Sequence, residues 1–231
     1  MYLANDYWAN NSTQVNVSFN LPQAVIFGAP KYAKSLAKFA EEHKFEVNYQ
    51  HELIEIDKAN QEAVFKTSEG EVRKSYDFLH CIPKHEPPAI LAPLADSTGF
   101  MDVNKETLQH PKYPNVFGIG DCTNIPTSKT AAAAFSQAPL VAHNITQLQK
   151  AEELKPGYKG YSACPIYLGK NKLMLAEFKF AGEPDETFTS KQDSGYYLFF
   201  LFARDFFNRI YFHLVPRSIW YGRDMIFKPK Y

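Results

Sequence analysis

Asn115-Val-Phe-Gly-Ile-Gly-Asp-Cys-Thr-Asn-Ile-Pro-Thr-Ser-Lys-Thr-Ala-Ala-Ala-Ala134 is the stretch on which the reading of this chain turns. Val116 to Ile119 has the apolar character of a short strand, Gly120-Asp121 turns out of it, a polar loop follows, and an alanine-rich run begins at Thr130. Thr127 or Ser128 can cap a helix expected over Ala131 to Lys150, and Pro139 is expected to kink that helix or split it in two.

The chemistry follows from the layout. In an open α/β fold an acidic residue at the carboxyl end of a strand sits where ligands bind, so Asp121 can accept hydrogen bonds from sugar or ribityl hydroxyls. Gly118 and Gly120 let backbone approach a cofactor closely, and the helix beyond Thr130 aims its positive end at an electron-rich ring. Lys129 opposes that helix dipole, so its placement makes sense if it faces a group that becomes negative, such as a reduced flavin. The plain alternative is a solvated lysine beside a capped helix and a turn aspartate. The usual companion of such a site, Gly-x-Gly-x-x-Gly on a strand-to-helix turn, occurs nowhere in the 231 residues.

Upstream, Gln14 to Phe19 alternates as a strand should, Gly28-Ala-Pro30 punctuates, and Lys31 to His43 reads as an amphipathic helix. Ala33, Leu36, Ala37, Phe39 and Ala40 form its expected apolar face. Phe45 to Tyr49 follows as a strand, then Leu53–Ile56, Ala63–Thr67 and Val72–Ser75 as a small meander with a turn at Ser68-Glu-Gly70. A strand–helix–strand unit with a meander suits the back half of a dinucleotide-binding domain. Tyr76 to Ile82 reads as a further strand, and four of the 15 prolines fall between Pro83 and Pro93, which marks a crossover and a boundary near residues 83 to 95. Downstream, Ala163–Leu168 and Leu173–Phe180 read as strands.

Composition excludes several classes. With 45% hydrophobic and 22% charged residues the chain is globular, and 25 basic against 25 acidic residues leave no field that favours nucleic acid. Cys81, Cys122 and Cys164 are too few and too far apart for a disulfide framework or a Cys-x-x-Cys metal site, and His80 with His85 makes a poor chelate, so no metal centre is expected. Cys122 is expected in a buried turn and Cys81 on an apolar strand. The N-terminus reads as the middle of a domain, with no presequence pattern.

Residues 196–231 differ from the rest. They hold 13 aromatics in 36 positions, more than twice the chain's 15%, and six Lys/Arg against two Asp. Phe199, Phe202, Phe206 and Ile210 fall on one helical stripe that Phe200 and Phe207 widen, with Arg204, Asp205 and Asn208 as a polar edge. The uncharged run Tyr196 to Ala203 is too short to span a bilayer. The pattern fits two situations equally: a helix lying in a membrane interface, or one packed on its own domain.

Taken together, Val116 to Ala133, Asp102 to His110, Gly160-Tyr-Ser-Ala-Cys-Pro165 and Leu175-Ala-Glu-Phe178 resemble the C-terminal portion of sulfide:quinone oxidoreductases of the mitochondrial eukaryotic type. The resemblance covers nearly all of the chain and weakens after about Gly182. It implies an α/β fold, part of a two-dinucleotide-binding-domain, disulfide-reductase-like flavoprotein, with C-terminal amphipathic membrane-binding helices. On that reading residues 1–90 are the back half of the second dinucleotide-binding domain, 91–155 the C-terminal part of the FAD-binding domain, 156–195 a redox-cysteine strand region and 196–231 a membrane-surface segment. The resemblance implies FAD as cofactor, lined by Gly120, Asp121, Lys129, Thr130, Ala131 and Ala132, with Cys164 as one of two redox cysteines and the other upstream of Met1. Sulfide attacking the bridged pair leaves a persulfide, and the released thiolate, which needs a low pKa, donates electrons. Sulfide, ubiquinone, a sulfur-accepting thiol or sulfite, and the inner mitochondrial membrane surface are the implied partners. The isolated chain is expected to be inactive, and two other readings stay open: a portion of a type II NADH dehydrogenase-like quinone reductase, and a non-catalytic truncated remnant.

Overall fold

The computed structural model describes residues 1–11, 14–189 and 191–231. They form two compact units, residues 1–84 with 167–170, and residues 85–166 with 171–231.

In the first unit, helix α1 (Tyr2–Asn10) precedes a strand–helix–strand arrangement of β1 (Ser18–Asn20), α2 (Pro30–Glu42) and β2 (Glu46–Asn48). β1 and β2 pair in parallel with Phe19 opposite Val47, the pairing that a helical crossover permits. Residues 14–17, expected to belong to β1, lie outside it. Pro30 occupies the first turn of α2, where its missing N–H costs nothing. The helix buries Tyr32, Leu36 and Ala40, so its inward face is turned from the expected one, with Tyr32 taking the place of Ala33 and Ala37. Tyr2 completes this packing: its hydroxyl donates to the Leu36 carbonyl at 2.8 Å and its ring lies 5.3 Å from Phe45. The meander follows as β3 (Glu52–Asp57), β4 (Glu62–Thr67) and β5 (Gly70–Ser75), antiparallel in that order, with Ala63, Val64 and Phe65 of the central strand buried. Gly70 adopts φ +124°, which its turn with β4 requires.

Tyr76 to Ile82 is not a strand. It runs as irregular chain with Phe78 74% and Ile82 83% exposed, and Cys81 is exposed with it. A strand exists through its ladder, and no described segment pairs with this one.

The second unit begins with a 3₁₀ segment, Ala89–Leu94, and continues as loops joined by single bridges, Met101 to Thr123 and Gln109 to Phe117 among them. Val116–Ile119, expected as a strand, is reduced to one bridge, Phe117 opposite Gln109, closed by bonds from the His110 N–H to the Val116 carbonyl and from the Gly118 N–H to the Leu108 carbonyl, and no further bridge extends it among the described residues. The loops enclose a core of Met101, Val103, Leu108, Ile125, Leu140 and Tyr158. Helix α3 (Ala131–Gln149) runs unbroken through Pro139. The proline forgoes one backbone bond, while Ala133, Gln137, Leu140 and Asn144 pack along one buried face, and packing of that face outweighs the local loss. Asn144 fixes the far half: its amide donates to the Thr107 and Lys155 carbonyls at 3.0 Å each and its oxygen accepts from the Lys155 N–H at 2.9 Å.

The hairpin β6 (Ser162–Gly169) and β7 (Lys172–Phe178) comes next, its tip, residues 167–170, belonging to the first unit. The chain then enters α4 (Tyr197–Leu201), a π-helical turn over Phe202–Phe206, and α5 (Phe207–His213). The π turn spoils the expected stripe, since a wider turn shifts the phase of every later side chain. Phe200 is the buried aromatic and Phe206 is 59% exposed. No described helix is long and apolar enough to cross a membrane.

Candidate functional site

The loop from Gly118 to Thr130 is built by close packing on one side and hydrogen bonds on the other. A Cβ on Gly118 would stand 2.8 Å from Met101 Sδ and 2.9 Å from Thr123 Cγ2, so only glycine brings this backbone against the core. Gly120 needs its lack of side chain for conformation, with φ +70° at the start of the 3₁₀ turn Gly120–Cys122. Its N–H donates to Gln137 Oε1 at 2.7 Å, and its carbonyl accepts from Thr123 Oγ1 at 2.8 Å. Gln137 and Thr123 are each 1% exposed, so these bonds are made in a dry setting where an unpaired group would be costly.

Thr130 caps α3 with its own hydroxyl, which accepts from the Ala133 N–H at 3.1 Å. The cap is therefore Thr130 itself, not Thr127 or Ser128. The earlier two residues are committed elsewhere: Thr127 Oγ1 donates to the Gly160 carbonyl at 2.8 Å, and the Ser128 carbonyl lies 3.4 Å from Ser162 Oγ. Thr130 Oγ1 also meets Ser162 Oγ at 2.9 Å. These contacts tie the N-terminal end of α3 to the start of β6. Cys164 is two residues along, so by strand alternation it shares the Ser162 face that looks toward this helix end.

Gly120, Lys129 and Thr130 line one small cavity with Thr123, Ile125, Thr127, Ser128, Ala133 and Gln137; its volume, about 10 Å³, is that of a single water. Asp121 projects to solvent on the 3₁₀ turn, and Ala131 and Ala132 form the first turn of α3. Lys129 Nζ donates to the Thr123 carbonyl at 2.6 Å and sits 4.1 Å from the centre of the Phe100 ring. Burial pulls its pKa down from the ordinary lysine range, and the nearby Asp121 and Cys122 pull it back. The six expected lining residues thus cluster at one end of α3.

Cys164 is half-buried, and burial pushes its thiol up to about 11 with no charge to offset it. The low pKa expected for a reacting thiolate is not the state of this structure. Desolvation penalises the charged form, and Lys129, the cation at this helix end, is spent on Thr123 and Phe100. Cys122 is half-buried, its thiol 3.4 Å from the Ile119 carbonyl.

Gln137, Thr123 and Ser162 escaped the sequence reading. Gln137 carried a signal: Ala133, Gln137, Leu140 and Asn144 recur at helical spacing, and a polar residue on a buried face must have a partner.

A glycine-lined loop and a capped helix end joined to a cysteine-bearing hairpin in one unit, with a strand–helix–strand arrangement and a meander in the other, define part of a two-dinucleotide-binding-domain flavoprotein fold. Solved structures share that fold. A chain of the Tetrahymena thermophila mitochondrial ATP synthase superposes with TM-score 0.78 at 21% identity over 91% of this chain and 54% of that one. The sulfide:quinone oxidoreductase of Aquifex aeolicus superposes with TM-score 0.67 at 17% identity over 80% of this chain and 48% of its own. No protein-family model matches. Curated relatives are more specific: the chain is 41% identical over 229 residues to the mitochondrial sulfide:quinone oxidoreductase of Mus musculus, covering 96% of this chain and 51% of that protein. The Dictyostelium discoideum protein of the same name is 38% identical over 234 residues, 99% of this chain and 52% of its own. Over nearly its whole length this chain matches the C-terminal portion of sulfide:quinone oxidoreductases, and it spans about half the length of the curated relatives it matches.

Proposed function

We propose that the chain is the C-terminal portion of an FAD enzyme that oxidises sulfide through a cysteine persulfide and passes the electrons to ubiquinone. The observation that carries this reading is the double tie, Thr130 to Ser162 and Thr127 to Gly160, which holds the glycine-lined helix end and the Cys164 strand in one unit. The Schizosaccharomyces pombe relative, 35% identical over 245 residues, is also named mitochondrial, which supports a mitochondrial location.

The residues fit one edge of a flavin. Ala131 and Ala132 supply N–H groups at a helix start, Lys129 a cation beside them, and Asp121 an exposed acceptor for hydroxyls. They do not make a whole cradle, because the cavity holds about 10 Å³ and the Gly120 N–H is already bound to Gln137. We therefore expect this chain alone to hold FAD weakly. Bound FAD would supply a two-electron acceptor. Cys164 is the sulfur that hydrosulfide engages: attack on a disulfide joining Cys164 to a second cysteine breaks that bond, forms the new sulfur–sulfur bond of a persulfide and releases one thiolate. Lys129 would stabilise negative charge gathering at the helix end.

Residues 1–90 serve as the back half of the second dinucleotide-binding domain, 91–155 as the end of the FAD domain, 156–195 as the redox-cysteine region and 196–231 as the segment that meets the inner-membrane surface, where quinone enters. Exposed Leu198, Phe206, Phe212 and Phe227 beside six Lys/Arg support that last assignment. A thiol or sulfite takes the sulfur. The test is titration with FAD of this chain joined to the part of the mouse relative that it does not match, followed by anaerobic sulfide. Sulfide-dependent bleaching of whatever flavin binds supports the reading, and bound flavin that NADH bleaches while sulfide does not would overturn it.

A further inference from the structure

The aromatic segment is fastened at both ends within the second unit. Upstream, Tyr196 and Leu173 exchange backbone bonds at 2.9 and 3.3 Å. Downstream, the chain returns across α3, where Gly222 (φ +64°) lies so close that a Cβ would stand 2.5 Å from Ser136 Oγ. Its neighbour Arg223 forms an ion pair with Asp185 and sits 5.9 Å from the centre of the Tyr161 ring. Between these anchors Tyr211 packs against Phe135 of α3 at 6.2 Å.

Tyr161 is the residue that joins this fastening to the site. Its hydroxyl donates to Glu177, a carboxylate only 3% exposed that also accepts from the Thr187 N–H and hydroxyl at 2.9 and 2.8 Å and from Gln192 Nε2 at 2.7 Å. Its carbonyl accepts from Tyr158 Oη at 2.7 Å. One residue later the strand presents Ser162 to Thr130 on the opposite face, and Cys164 follows on that same face. Tyr161 is thus gripped on one side by Glu177 and Arg223 while its neighbours meet the helix end on the other.

We propose that Arg223 is a positioning residue for Cys164: clasped by Asp185 over the Tyr161 ring, it fastens the C-terminal tail to the strand that carries the cysteine. The proposal rests on Cys164 being the reacting thiol, and it makes the tail a tension member of the site. Movement of the aromatic segment then reaches the thiol through the clasp.

The test reads thiol exposure, not turnover, so its failure is separate from failure of the enzymatic reading. In a Cys81→Ser background, labelling of Cys164 and Cys122 by iodoacetamide is followed by mass spectrometry. Arg223→Gln and Asp185→Asn should each speed labelling of Cys164 about fivefold, the scale a half-exposed ion pair supports, and leave Cys122 unchanged. The charge swap Asp185→Arg with Arg223→Asp should return Cys164 to within about twofold of the parent. Gly222→Ala, which dislodges the same tail without touching a charge, should act in the same direction. Unchanged Cys164 labelling in the single variants, equal acceleration of both cysteines, or a charge swap no slower than the singles would overturn the proposal.

Discussion

The N-terminal end of α3 and the aromatic tail use opposite means in one unit. At the helix end, polar groups go inside and are matched: Gly120 to Gln137, Thr123 to Gly120, Thr130 to Ala133 and Ser162. Along the tail, apolar groups go outside, with Leu198 75%, Phe212 70% and Phe227 74% exposed. The first region is rigid by satisfaction, since each buried bond penalises any departure. The second is restrained by its two anchors and carries surface whose removal from water would be favourable. A site that must hold a cofactor edge still needs the former, and a surface that docks needs the latter.

Substitutions sharpen the contrast. The largest effect is expected behind the cysteine strand: Glu177→Leu strips the acceptor from Tyr161, Thr187 and Gln192 and should cost about 3 kcal/mol, read from urea unfolding. Next comes pH. The folded Cys164 thiol titrates near 11 against an ordinary 9.0, so its contribution is complete below pH 9 and is lost as pH rises to 11, by about 2 kcal/mol. The difference between parent and Cys164→Ala in that window isolates it; parallel curves would contradict the burial seen here. Gly118→Ala should cost about 1–2 kcal/mol, because Met101 and Thr123 must give way. Thr130→Ala should cost about 1 kcal/mol by removing the cap, visible as a lower unfolding midpoint. At the small end, Leu198→Ser with Phe212→Ser should change stability by less than about 0.5 kcal/mol while weakening binding to anionic vesicles. A large loss of stability there would mean that the tail packs as a core, and the contrast would fail.

Legibility in the sequence followed sequence distance. The meander at 52–75 was readable because each strand's partner is its neighbour, and the hairpin at 162–178 for the same reason, whereas α2 was readable from its own helical period. Tyr76–Ile82 and Val116–Ile119 look like strands to any pattern, yet pairing is decided by neighbours that a pattern does not contain. Pro139 misled in the same way: local chemistry argued for a break, and the buried Ala133-Gln137-Leu140-Asn144 face overrode it. For the candidate site, glycines and a helix start could be read directly, whereas the raised thiol of Cys164 arises from burial, which no spacing discloses. The π turn at 202–206 has no signature in the residues quoted for the stripe, and it undid that stripe.

The central claim is that Cys164 is the sulfur-reactive group beside a flavin edge at the start of α3. Its most direct test joins this chain to the part of the mouse relative that it does not match, to complete the FAD fold, and titrates the flavin absorbance with sulfide without oxygen. The account predicts a yellow protein bleached by sulfide, and an equally yellow Cys164→Ser variant that sulfide leaves unbleached. Equal bleaching of the two would contradict it.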